Sequence, residues 1–234
     1  MHGKTMERVY VWQLPVRVFH WINAACIVAL GVTGYVIGRP IAFVSSAEPY
    51  AGYWFGTVRF VHFAVAYVLI FNFLFRIYYG FVGNRYATWD NFIPLRSSQW
   101  KEMARVLRVD ILLGKTEPLE SAGHNALAGL IYFLSFLVFL AQVATGLALY
   151  SAMSEFGIGR LFAWVIPFFG SDLAVRQWHH LLMWFFPVFI ITHVYLVLYH
   201  DYVEGRGGLS SIFGGWKFIE PHVVAPPAAP ARKE

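Results

Sequence analysis

The sequence predicts an all-α membrane protein, a four-transmembrane-helix bundle with N- and C-termini in the cytoplasm. Three observations lead there. Of 234 residues, 58% are hydrophobic and only 13% charged, against about 25% charged residues in an ordinary soluble domain. Four apolar stretches, at about residues 18–38, 58–82, 125–150 and 177–201, are long enough as helices to cross a hydrocarbon layer of about 30 Å. Lysines and arginines gather before the first stretch (Lys4, Arg8, Arg17), between the second and third (Arg85 to Lys115) and after the fourth (Arg206 to Lys233). The remaining connections hold only Arg39, Arg59, Arg160 and Arg176. The positive-inside rule then puts both termini in the cytoplasm.

The composition also excludes functions. A formal charge of +5 could suggest nucleic acid, but the basic residues flank the apolar stretches, where topology and anionic lipid account for them, so no nucleic-acid partner is expected. Cys26 is the only cysteine and lies in an apolar run. Disulfides, iron–sulfur clusters, thiolate zinc sites and covalent c-type haem are therefore excluded within the chain. Non-covalent b-type haem stays open. An aromatic content of 19% suits interface belts and packing against flat cofactors.

In order, residues 1–17 form a polar, basic N-terminal segment in the cytoplasm. The first apolar run carries His20, is too long for a signal-peptide core, and stops before Pro40. The second span carries His62 near its start and Arg76 near its end. In the polar segment that follows, Trp100, Met103, Ala104, Leu107 and Ile111 recur at helical spacing, as in a helix lying on the membrane or facing a partner. The third span opens at Gly123-His124-Asn125. The apolar run 161–169 is too short to cross and reads as interfacial or re-entrant. The fourth span closes the transmembrane domain, residues 18–203, and Pro187 is expected to kink it. Residues 204–234, glycine-rich and ending in VVAPPAAPARKE, are expected as a disordered cytoplasmic tail.

The fourth span, QWHHLLMWFFPVFIITHVYLVLYHD, carries His179, His180, His193 and His200. Fourteen positions separate His179 from His193; at about 100° per residue they return to within about 40° of one face, roughly 21 Å apart along the axis. With the topology above, His20 lies at the depth of His193 and His62 at the depth of His179. Ionisable groups inside spans are costly and functional by default. Two depth-matched imidazole pairs suit two haems b, each held through both axial positions, and such iron transfers electrons rather than binding substrate. His20 and His193 would hold an inner haem, His62 and His179 an outer one. His180, thirteen residues from His193, points about 140° away and does not serve that face.

Further residues fit this scheme or a plainer one. Gly31, Gly34 and Gly38 share the His20 face, where they admit a flat macrocycle or a close-packed helix. Arg76, on the His62 face, would neutralise a propionate of the inner haem or reach the headgroups. Gly123, His124 and Asn125 form a candidate quinone site or an ordinary helix cap. His200 reads as interfacial or as a contact to propionate or quinone, and His2 and His222 as solvated.

The stretches Pro15-Val-Arg-Val-Phe-His-Trp21, Val82-Gly-Asn-Arg-Tyr86, Gly123-His-Asn125, Gln177-Trp-His-His-Leu181 and His193-Val-Tyr195 resemble the b-type cytochrome subunit of membrane-bound nickel–iron uptake hydrogenases, a cytochrome b561-like di-haem family. The resemblance covers roughly residues 8 to 203. It implies a multi-pass protein of the bacterial inner membrane that anchors the small (iron–sulfur) and large (nickel–iron) hydrogenase subunits on the periplasmic side. It also implies that His62 and His179 hold the outer haem, that His20 and His193 hold the inner one, and that quinone accepts the electrons, making the chain the electron-transfer subunit of a hydrogen:quinone oxidoreductase. The same plan serves formate dehydrogenase or another periplasm-facing oxidoreductase. A proton or solute transporter with a histidine relay belongs to a different class and would be colourless.

Overall fold

The computed structural model describes residues 6–40, 52–89, 92–93, 97–106, 126–154 and 157–220. Four helical stretches are long and apolar enough to cross a membrane: Leu14–Gly38, Trp54–Val82, Leu127–Ser151 and Asp172–Val203. The chain is a multi-pass membrane protein. Its spans keep large apolar side chains on the outside, among them Phe60, Phe71, Phe81, Ile191 and Tyr202, as a lipid-facing surface requires.

Helix α1 is Leu14–Gly38 and α2 is Trp54–Val82, each about a turn longer at its start than the apolar pattern implies. Pro15 does not prevent the early start of α1, because first-turn N–H groups have no partner to lose. Helix α3, Ser97–Val106, covers the first part of the amphipathic segment, with Met103 buried and Trp100 exposed; residues 107–111 lie outside the described residues. Helix α4 is Ala126–Ser151. A 3₁₀ turn, Ile158–Phe162, and the short α5, Val165–Phe169, occupy the run too short to cross. Helix α6, Asp172–Met183, begins five residues ahead of the apolar pattern because Ser171 caps it, accepting from Ala174 N at 3.1 Å.

The fourth span is two helices rather than one. Helix α7, Phe185–Glu204, follows a break at Trp184. Pro187 is the physical reason: it lacks the N–H that would bond the carbonyl of Met183, and its ring presses on that carbonyl. The interruption is local, since Trp184 keeps helical dihedrals (φ −66°, ψ −20°), and it is the kink expected at Pro187.

The chain divides into two compact units, one of residues 1–18, 77–133 and 194–234 and one of residues 19–76 and 134–193. The first holds a clamp that the sequence did not suggest. Strand β1, Glu7–Tyr10, pairs antiparallel with β2, Trp216–Ile219, placing Glu7 opposite Ile219 and Tyr10 opposite Trp216. Helix α8, Gly208–Gly214, leads into β2. Residues 208–219 are thus ordered where a disordered tail was expected; residues 221–234 lie outside the described residues. The composition misled because these glycines are turn positions. Gly215 has φ +87°, its carbonyl accepts from Val11 N (2.9 Å) and Trp12 N (3.1 Å), and a Cβ there would stand 2.7 Å from Trp12 O. Val11, Trp12 and Ile219 are buried together. Asn84 ties the end of α2 to this clamp, its Nδ2 donating to Val11 O (2.8 Å) and its backbone N–H to Gln13 Oε1 (3.1 Å). The Arg17 guanidinium donates to Phe213 O.

In the second unit, Ala148 of α4, Val165 of α5 and Val175 of α6 form a buried cluster. Phe73 of α2 stacks on Phe136 of α4 at 4.6 Å. Asn72 Nδ2 donates to Phe19 O (3.1 Å), fastening α2 to α1 at the residue before His20.

Candidate functional site

The four span histidines that the sequence singles out all fall in the second unit, and all are half-buried. Helix α1 supplies His20, α2 His62, α6 His179 and α7 His193. The rings of His20 and His193 lie 6.3 Å apart between centroids, with planes inclined by 48°. Phe189, one turn before His193, stacks on it at 5.6 Å and 10°. His20 stands edge-on to Trp21 at 5.1 Å, and its Nδ1 is buried without a hydrogen-bond partner among the described residues.

Thr33 Oγ1 of α1 lies 2.9 Å from His62 Nδ1, and Thr145 Oγ1 of α4 lies 2.9 Å from His179 Nδ1. Gln142 Nε2 is 3.3 Å from His179 Nε2. Both rings lie against glycine. A Cβ on Gly34 would come within 3.2 Å of His62 Cε1, and one on Gly146 within 3.0 Å of His179 Cε1.

His180 takes the opposite course. Its ring packs on Gly38, and with Arg39, Arg176, Gln177, Leu181 and Trp184 it lines a cavity of 420 Å³. Of the three glycines on the His20 face, Gly34 and Gly38 thus make room for imidazoles, while a Cβ on Gly31 would meet nothing within 4 Å. Arg76 is half-buried one turn beyond Asn72, the residue fastened beside His20. His200 Nδ1 and Leu196 O lie 2.9 Å apart on one helix turn. Gly123, His124 and Asn125, like His2 and His222, lie outside the described residues.

Among the described residues no group of three or more His, Cys, Asp or Glu side chains gathers for a metal ion. A metal held here by two imidazoles needs its other coordination positions filled by a non-protein group, as the four nitrogens of a porphyrin fill them.

Residues 11–215 match the family of prokaryotic cytochrome b561. The chain belongs to that family. Its relatives include a "Probable Ni/Fe-hydrogenase B-type cytochrome subunit" of Azotobacter vinelandii, 42% identical over 220 residues (91% of this chain, 89% of that protein). A protein of the same description from Cupriavidus necator is 36% identical over 219 residues (92% and 89%). The "Probable Ni/Fe-hydrogenase 1 B-type cytochrome subunit" of Escherichia coli K12 is 36% identical over 213 residues (89% and 90%).

A b-type cytochrome carries haem b, and the residues here fit that group. Two rings on opposite sides of one metal ion, with metal–nitrogen bonds of about 2.0 Å, have centroids about 6 Å apart, and His20 and His193 stand at 6.3 Å. Gly34 and Gly146 keep the other two rings close to neighbouring helices. Thr33, Thr145, Gln142 and Gly146 are the site residues that sequence reading passed over. Their signal was available as two Thr-Gly dipeptides towards the C-terminal ends of apolar spans, Thr33-Gly34 and Thr145-Gly146.

Proposed function

We propose that this chain holds two haems b and passes electrons across the membrane from a nickel–iron hydrogenase on the periplasmic face to quinone. The observation that carries the reading is the 6.3 Å ring separation of His20 and His193, from two helices remote in sequence, with two further span imidazoles, His62 and His179, each 2.9 Å from a threonine hydroxyl. Haem b supplies a one-electron couple. Held by two histidines, each haem would leave no position for oxygen or substrate, so the residues suit transfer rather than chemistry on a bound molecule.

In this reading His20 and His193 grip the inner haem and His62 and His179 the outer one. Arg76, half-buried near the His20 turn, meets a propionate, where its cation offsets a carboxylate that lipid would not solvate. Gly123, His124 and Asn125 remain the candidate quinone site. The β1–β2 pairing joins the segment before the first span to the segment after the last, which suits four crossings, and the basic residues of these segments favour the cytoplasmic side for both. The hydrogenase partner, with its small and large subunits, rests on the descriptions of the relatives and on the sequence resemblance.

The deciding experiment is a reduced-minus-oxidised spectrum of the purified chain with a pyridine haemochrome assay. Two b haems per chain are expected. One haem leaves a pair misassigned, and colourless protein made with ample porphyrin supply returns the histidines to a transport relay. Reduction of these haems by H2 in membranes containing the hydrogenase, and not by formate, checks the partner.

A further inference from the structure

Thr33-Gly34 on α1 and Thr145-Gly146 on α4 are one device used twice. In each, the threonine hydroxyl sits 2.9 Å from an imidazole Nδ1, and the following glycine leaves room for the same ring. The proton roles follow from the hydroxyl's other neighbour. Thr33 Oγ1 donates to Ala29 O at 2.7 Å, and Thr145 Oγ1 to Ala141 O at 2.8 Å. A hydroxyl has one proton and two lone pairs. With the proton spent on the helix carbonyl, the oxygen meets the imidazole only as an acceptor, so Nδ1 carries the hydrogen and Nε2 keeps its lone pair. The amide of Gln142 beside His179 Nε2 agrees, since Nε2 accepts there. A side chain at Gly34 or Gly146 would push the ring from its threonine.

His20 Nδ1 is buried with no hydrogen-bond partner among the described residues, and His193 rests on the face of Phe189. A hydrogen bond from the distal nitrogen of a metal-bound imidazole raises its basicity and so favours the oxidised metal.

We propose that Thr33 and Thr145 are positioning residues that fix His62 and His179 in the Nδ1–H tautomer, with the lone pair for iron on Nε2, and thereby lower the reduction potential of the outer haem. This rests on the di-haem reading.

The test is a potentiometric titration of the haem spectrum in the intact chain, for wild type, Thr33→Val, Thr145→Val and the two Thr→Ser variants. Valine keeps the shape and removes the acceptor; serine restores it. In both valine variants the spectral component absent from His62→Ala is expected to move to higher potential, with the other component unmoved and serine returning it to the wild-type value. Unmoved potentials in a two-haem Thr145→Val protein overturn the threonine role alone. A shift in the component lost with His20→Ala overturns it as well. If a valine variant assembles without the outer haem, its serine counterpart decides: a wild-type potential and haem content support the role, and loss of haem there too overturns it. A His62→Ala protein that keeps two haems overturns the ligand assignment and the proposal with it.

Discussion

The two histidine pairs are built differently although their chemistry is the same. His62 and His179 are each held at Nδ1 by a threonine and flanked by a glycine, on helices that neighbour them. His20 and His193 are set by aromatic rings, Trp21 at one and Phe189 at the other, and by the Asn72–Phe19 bond beside His20. Hydrogen bonds fix tautomer and rotation; stacking fixes the plane. The contrast teaches that one span bundle offers imidazoles in unlike surroundings, which under the proposed di-haem reading would tune two like cofactors without any change of ligand.

The sharpest way to break that comparison is to delete its members. Alanine at His20 or His193 should remove one of two b haems and leave the other spectral component, and alanine at His62 or His179 should remove the complementary one; the pyridine assay then reads half the wild-type haem in each. Loss of both components from a single substitution would show that the pairs are not separate sites. A smaller effect is expected from Gly146→Ala and Gly34→Ala, whose new methyl groups crowd His179 and His62 at 3.0 and 3.2 Å. These should lower the occupancy of the outer haem only, with Gly146→Ala the worse. Gly31→Ala, which meets nothing within 4 Å, should leave both haems and tests whether crowding rather than glycine loss matters.

Asn84→Ala supplies the baseline for structural damage away from both pairs. It removes the 2.8 Å bond to Val11 O and should cost about 1 kcal/mol, read as a lower thermal midpoint with haem stoichiometry unchanged. The smallest expected effect is that of His180→Ala. Its ring turns to Gly38 rather than towards Thr145, so both haems should persist; loss of the outer haem would transfer ligation from His179 to its neighbour.

Much of this was legible from residue order. Apolar runs located four spans and showed which histidines lie within them. Pro187 signalled the interruption of the fourth span at Trp184, while the 6.3 Å approach of His20 to His193 is a fact of the folded chain. The clamp was missed for a physical reason. Glu7–Tyr10 and Trp216–Ile219 are four-residue strands some two hundred positions apart, and so short a pairing leaves little periodic trace. The resemblance stretches also hold different kinds of residue: His20 and His179 are candidate site residues, whereas Arg17 and Asn84 serve the clamp.

What residue order determined by itself was the solvent and the candidate residues: too few charges for water, spans of the right length, and imidazoles where ionisable groups are costly. What only tertiary structure decided was the partner of each nitrogen. A threonine in an apolar helix normally bonds its own backbone, and nothing in a single helix says that its oxygen will also accept from a ring on another. That depends on two helices coming within hydrogen-bond reach, and Gly34 and Gly146, lacking side chains, are what allow the approach.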